Sequence, residues 1–121
     1  MSYEMRVDPR EDYLYFYVTG RETLGTCLAY WKRIVSEYAK TDYSKILVEE
    51  NLKGRLTIVE MYEVVSDFTS FGVNKIPRIA FVDRHEINQE HNKFGELVAR
   101  NRGINCKVFP DIESAERWLR Q

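Results

Sequence analysis

From Ile46 onward, short continuous apolar runs alternate with segments that begin on a capping residue and carry apolar side chains at helical spacing. Ile46-Leu47-Val48 and Ile79-Ala80-Phe81-Val82 read as strands covered on both faces, because a strand with one wet face alternates apolar and polar residues. Thr57-Ile58-Val59-Glu60 matches the capping box that opens a helix, with Ile58, Met61, Tyr62, Val65 and Phe68 as its apolar stripe and Gly72 as its left-handed stop. A helix beginning near Asn88 is predicted to bury Phe94, Leu97 and Val98 and to end at Gly103, with Ile104 completing a Schellman stop. Cys106 to Phe109 then forms a last strand, and Asp111 caps a helix with Ile112, Ala115, Trp118 and Leu119 on one side.

Upstream of this rhythm, residues 3–7 and 13–18 are β-rich and are joined by the turn formers Asp8-Pro9-Arg10-Glu11-Asp12, which predicts a hairpin. Thr23 caps a helix whose stripe is Leu24, Cys27, Leu28, Trp31, Ile34, Val35 and Tyr38. Crossovers between parallel strands are right-handed, so the element order gives an α/β fold. The expected architecture is a mostly parallel five-stranded sheet with one N-terminal antiparallel hairpin strand and about four helices.

A chain of 121 residues fits one domain, and residues 1–121 are expected to form it. Hydrophobic residues at 44% and charged residues at 31% suit a globular protein, and a net charge of −1 gives no attraction to nucleic acid. The N-terminus lacks the basic start and apolar core of a signal peptide, and no apolar run approaches the roughly 18 residues of a transmembrane segment, so a cytoplasmic location is expected. Cys27 and Cys106 have neither redox nor zinc-knuckle spacing and read as small buried hydrophobes.

The strand Lys45-Ile46-Leu47-Val48-Glu49-Glu50 with the capped helix from Thr57, the strand Arg78-Ile79-Ala80-Phe81-Val82-Asp83, and the closing Val108-Phe109-Pro110-Asp111 with Ala115 and Trp118-Leu119 carry a resemblance. In this pattern, over nearly its whole length, the chain resembles the SpoIIAA-like, or STAS-like, proteins. The resemblance implies a superhelix of β-α turns and a family that includes anti-sigma-factor antagonists and uncharacterised bacterial proteins likened to CRAL-TRIO lipid-binding domains. In the antagonists a phosphorylatable Ser opens the helix after the third strand, where a phosphate meets free backbone N–H groups and the positive end of the helix dipole. Here the corresponding stretch is Asn51-Leu52-Lys53-Gly54-Arg55-Leu56-Thr57, so Thr57 is the one hydroxyl in place for such a switch.

Open parallel sheets place functional groups in the loops after the carboxyl ends of their strands. That rim collects Gly20, Arg21 and Glu22, then Glu49, Glu50 and Asn51, then Asp83, Arg84 and His85, and finally Pro110 and Asp111. Glu49, Glu50, Asp83, Arg84 and His85 form the candidate polar site, and Asp83 with His85 is the pairing an acid–base enzyme would use, with Glu86 and His91 nearby. The two histidines lack the spacing of helical metal ligands, and no glycine-rich phosphate loop is present, so no metal or cofactor is expected.

Tyr13, Tyr15 and Tyr17 alternate with Leu14, Phe16 and Val18, which puts three tyrosines on one face of a strand. They are candidates for a subunit contact or an apolar ligand groove, and Phe68 and Phe71, followed by Val73 and Ile76, are a second candidate surface. Two function classes follow. One is a noncatalytic protein-interaction or regulatory module, with a protein partner or a second copy of itself in a homodimer. The other binds a lipid or other small apolar ligand between the two helices that begin at Thr57 and Asn88. An enzyme using Asp83 and His85 ranks third.

Overall fold

The computed structural model describes residues 3–121. The N-terminal runs pair antiparallel as β1 (Tyr3–Pro9) and β2 (Leu14–Arg21), and β3 (Lys45–Lys53), β4 (Arg78–Asp83) and β5 (Cys106–Phe109) join in parallel, giving the sheet order β1-β2-β3-β4-β5. Four helices, α1 (Leu24–Ala39), α2 (Ile58–Phe68), α3 (Gln89–Arg100) and α4 (Ile112–Leu119), complete the α/β architecture expected from the sequence.

Because each parallel crossover steps to the next strand in the same direction and shares one handedness, the three crossover helices must lie on one face. They do: α1, α2 and α3 pack over Leu14, Phe16, Val18, Ile46, Val48 and Ile79. The opposite face is left to α4, whose Ala115 and Leu119 pack on Leu47, Ala80, Val82 and Phe109. Ile46, Leu47 and Val48 have no solvent exposure, as an apolar run covered on both sides requires.

The predicted caps form. Thr23 and Thr57 each close a capping box, with Thr26 and Glu60 as the returning residues, and the Asp111 carboxylate accepts the Ser114 N–H. Gly103 adopts φ +78°, and the Ile104 N–H reaches back to the Ala99 carbonyl at 3.1 Å, with Ile104 buried.

Three expectations need correction. In α2 the buried side chains are Met61, Val64, Val65 and Phe68, whereas Ile58 and Tyr62 are 45% and 43% exposed. The helix is wedged between α1 and α3, which turns Val64 inward in place of Tyr62. In α3, Ala99 sits beside Val98 in the core and Leu97 is 56% exposed. The apolar segment after α2 is largely folded into the core: single 3-10 turns at Thr69–Phe71 and Val73–Lys75 flank Gly72 at φ +95° and turn the chain back, burying Val73 and Ile76 and leaving Phe71 half-buried. Phe68 stacks on Trp31, with ring centroids 5.0 Å apart, and Phe71 leans on Phe68 at 6.0 Å beneath the Lys32 ammonium.

Core and surface positions separate under substitution. Phe16→Ala is expected to cost about 3–5 kcal/mol of unfolding free energy in urea titration. Leu97→Ala, at a position whose spacing mimics the core, is expected to change it by less than about 0.5 kcal/mol.

Candidate functional site: a carboxyl-floored cleft between two helices

Strand alternation sends Glu49 and Glu50, adjacent at the end of β3, to opposite faces of the sheet, and both are only 4% exposed. On the three-helix face Glu50 meets Glu22, which follows β2, and Asp83, the last residue of β4; all three line one cleft. Tyr30 of α1, fully buried, joins them through its hydroxyl, 2.6 Å from Glu50 Oε2 and 3.0 Å from Glu22 Oε2. A phenol has one proton to donate, so both contacts are hydrogen bonds only when one of the two carboxyls is itself protonated. Burial pushes the Glu22 carboxyl up to about 7, against a hydrogen bond from Tyr30 that lowers it and with the Asp83 charge adding to the rise. Burial, reinforced by Glu22, holds Glu50 well above the ordinary carboxylate range. The same burial and the charges of Glu22 and Glu50 push up the neighbouring Cys27 thiol.

Asp83 is differently placed. Its Oδ1 accepts the His85 backbone N–H at 2.8 Å, and its Oδ2 accepts the side-chain amides of Asn88 at 3.2 Å and Asn92 at 2.9 Å. The Asn88 side chain is thereby spent on Asp83, and it makes no capping bond to α3. Above the carboxyls, α2 and α3 bound a cavity of about 110 Å³ whose walls include Met61 and Phe68 of α2 together with Trp31 and Phe81. His91 of α3 also lines it, and His91 Nε2 is shut off from solvent without a hydrogen-bond partner. Arg55 and His91 are shared with a wider outer groove that Ile58, Ile87 and Phe94 border. Gly95 lets the two helices close: a Cβ at this position would lie 3.0 Å from Met61 Sδ.

The opposite face holds the other rim residues. Glu49 accepts hydrogen bonds from the Tyr15 hydroxyl and from Arg84. Tyr17 is half-buried, with the Arg6 and Arg84 guanidiniums each 5.3 Å from its ring centroid, and its hydroxyl accepts from the Asn51 amide at 3.2 Å. Tyr13 donates to Glu116 of α4 at 2.6 Å, and burial with that carboxylate raises its phenol to about 12; burial and Glu49 raise Tyr15 further. Tyr13, Tyr15 and Tyr17 thus share a face as their spacing predicts, but Tyr13 and Tyr15 are buried under α4 and its neighbours.

The sheet therefore divides the predicted polar rim in two. Glu50 and Asp83 face the cleft, whereas Glu49 and Arg84 pair on the far side. The His85 ring nitrogen Nε2 lies 3.0 Å from Asn51 Oδ1, so the Asp83–His85 acid–base pairing is not assembled; only the His85 backbone touches the Asp83 carboxylate. Thr57 is exposed at the start of α2, its hydroxyl accepting the Glu60 N–H at 3.1 Å. Sequence reasoning missed Tyr30 and the burial of Glu22. The signal was present in the i, i+3, i+7 spacing of Cys27, Tyr30 and Ile34, which puts a phenol on the core face of α1.

Neither the protein-family models nor the curated proteins give a match to this chain. Among solved structures it is similar to an anti-sigma factor antagonist from Mycobacterium paratuberculosis, at 14% identity and a TM-score of 0.64, covering 99% of this chain and 96% of that one. It is also similar to an uncharacterised protein of the DUF3478 family with a SpoIIAA-like fold from Shewanella loihica, at 17% identity and a TM-score of 0.62, covering 98% of this chain and 93% of that one. The chain has the SpoIIAA-like fold, as the sequence resemblance implied. Among the described residues no helix is long and apolar enough to cross a membrane, and no group of His, Cys, Asp or Glu is arranged to hold a metal ion.

The buried carboxyls set a pH dependence. The folded value of Glu22, about 7, lies above its ordinary 4.5, so the native state keeps a proton that the unfolded chain releases. Stability contributed by this group is complete below about 4.5 and is lost as pH rises through 7. The melting temperature measured by circular dichroism is expected to fall between pH 5 and pH 8, and Glu22→Gln is expected to flatten that decline.

Proposed function

We propose that this protein is a noncatalytic regulatory module that works by docking a protein partner on the outer side of α2 and α3. The observation that carries the reading is the placement of its unburied apolar side chains. Among the described residues the exposed large hydrophobics are Ile58, Val59 and Tyr62 on α2, Ile87 on the 3-10 turn before α3, and Leu97 on α3. Ile58 and Ile87 border the same groove, and Tyr62 meets Phe94 of that groove edge-on at 5.7 Å. Grouped apolar exposure of this kind marks interaction surfaces. Glu86 and Glu90 line the groove with Arg55 as its only cationic side chain, so the complementary partner presents apolar anchors flanked by basic residues.

The likeness to an anti-sigma factor antagonist supports a protein partner, since that neighbour's name describes action on another regulatory protein. Thr57, at the head of α2, is the residue through which phosphorylation would change this surface, by placing charge next to Ile58 and against Glu60 of its own capping box. The module is cytoplasmic in this reading and forms one domain. The cavity between α2 and α3, at about 110 Å³, is the size of a small organic group, not of a lipid acyl chain, which favours the docking reading over lipid carriage.

In proximity crosslinking within its native cells, the protein is expected to capture a partner that is lost in the Val59→Asp/Ile87→Asp variant, with circular dichroism spectra unchanged. Equal capture by both forms would refute the assignment of this surface, and loss of self-association alone would identify the partner as a second copy.

A further inference from the structure

The cleft beneath that surface carries an inventory of polar groups that the docking of a protein outside does not use. Glu50 is buried and accepts one hydrogen bond, from Tyr30 on Oε2, and among the described residues its Oε1 accepts none although it lines the cavity. His91 also lines the cavity, but its Nε2 has no partner and is shut off from solvent, so that nitrogen does not open onto the free space. Glu22 accepts from the same Tyr30 hydroxyl. The two carboxyls share one phenolic proton, so their accepting capacity exceeds the protein donors that reach them.

The donors closest to the carboxyls are partly committed. The Asn88 and Asn92 amides serve Asp83, and Tyr30 has a single proton for two carboxyls. Among the described residues three carboxyl side chains, Glu22, Glu50 and Asp83, line the cavity against the single guanidinium of Arg55, so charge favours a ligand that brings donors and a positive charge over carboxylates and phosphates. A primary ammonium group brings three donors, a positive charge and no acceptor. The rest of the enclosure is apolar and aromatic, with Trp31, Phe68 and Phe81 among its walls, and suits a short hydrocarbon body with a cation near ring faces. Its volume of about 110 Å³ sits below the roughly 150 Å³ that accommodates a benzene ring, so the body is only a few carbons long.

We propose that the cavity between α2 and α3 is a binding site for a small alkyl primary amine, held as its ammonium by Glu22 and Glu50, with its hydrocarbon body among the aromatic walls. Entry is through the outer groove past Arg55, the one cationic side chain lining the cavity among the described residues. Binding expels the proton that the two glutamates and Tyr30 share, because a cation among them favours both carboxylates. The groups facing that pair are Cys27 and Tyr30 from α1, Asp83 from β4, Cys106 from β5, and His91 and Glu96 from α3. The ligand site is independent of which protein docks outside.

Isobutylamine and its neutral isostere isobutanol are the probes, titrated into the intact chain and followed by protein NMR at pH 6, 7 and 8. The amine is expected to bind at least tenfold more tightly than the alcohol, shifting cleft resonances. Its affinity is expected to rise by up to about tenfold per pH unit below 7, where one proton is released on binding, and to level off above. Glu50→Gln is expected to weaken the amine at least tenfold, and Glu22→Gln, at a half-buried position that tolerates a neutral isostere, to weaken it and reduce the pH dependence. Val59→Asp/Ile87→Asp is expected to leave amine binding intact, so failure of the docking reading and failure of this one are told apart. Equal affinity for amine and alcohol, no binding of either, or amine binding unchanged in Glu22→Gln would overturn the proposal, the last outcome placing the amine elsewhere on the surface.

Discussion

The arrangement of this molecule depends on β3 being covered from both sides. With Ile46, Leu47 and Val48 fully enclosed, the strand cannot slip by one residue without exchanging its two faces, and each face is matched to different helices. That fixed register carries through to the strand's polar end. Glu49 and Glu50, identical in chemistry and adjacent in sequence, are delivered to opposite sides, one to a pair of cationic and phenolic neighbours and the other into a cleft without a cation beside it. Their environments give them separate chemistry: Glu49 pairs with Arg84, whereas burial raises the Glu50 carboxyl well above its ordinary range.

The three-helix face is a consequence of monotonic strand order, and it explains why the cleft forms where it does. Helices α2 and α3 sit side by side over β3, β4 and β5, and their contact is set by the missing side chain of Gly95 against Met61. The cavity between them lies at the carboxyl ends of the strands, the region where open α/β sheets bear their functional groups. The acidic floor lies under this opening because Glu22, Glu50 and Asp83 are each placed at or just past the end of a strand.

Much of the fold was legible in the sequence because its signals are local. The capping boxes at Thr23 and Thr57, the Asp111 cap and the Gly103-Ile104 stop depend on a few consecutive residues, and the doubly buried strands declare themselves by unbroken apolar runs. The helical stripes were legible only to within one residue's rotation. Tyr62 and Leu97 satisfy the spacing rule as well as Val64 and Ala99 do, and the choice between them is made by the neighbouring helix, which periodicity does not describe. The site was legible by position and not by partnership. The rim residues were locatable, but which of them meet is decided by strand parity, which separates Glu49 from Glu50, by the turn after β4, which leaves the His85 ring against Asn51, and by a phenol arriving from α1, 20 residues before Glu50 in sequence.

The sequential strand order leaves β1 and β5 as the two lateral borders, each with a row of backbone amides and carbonyls that no neighbouring strand satisfies. β5 is four residues long, too brief to template another chain, while β1 carries Glu4, Arg6 and Asp8 and finishes on Pro9, which has no N–H to offer. Continuation of the ribbon by a second molecule is discouraged along both margins, so assembly of this protein with others is channelled to its helical surface.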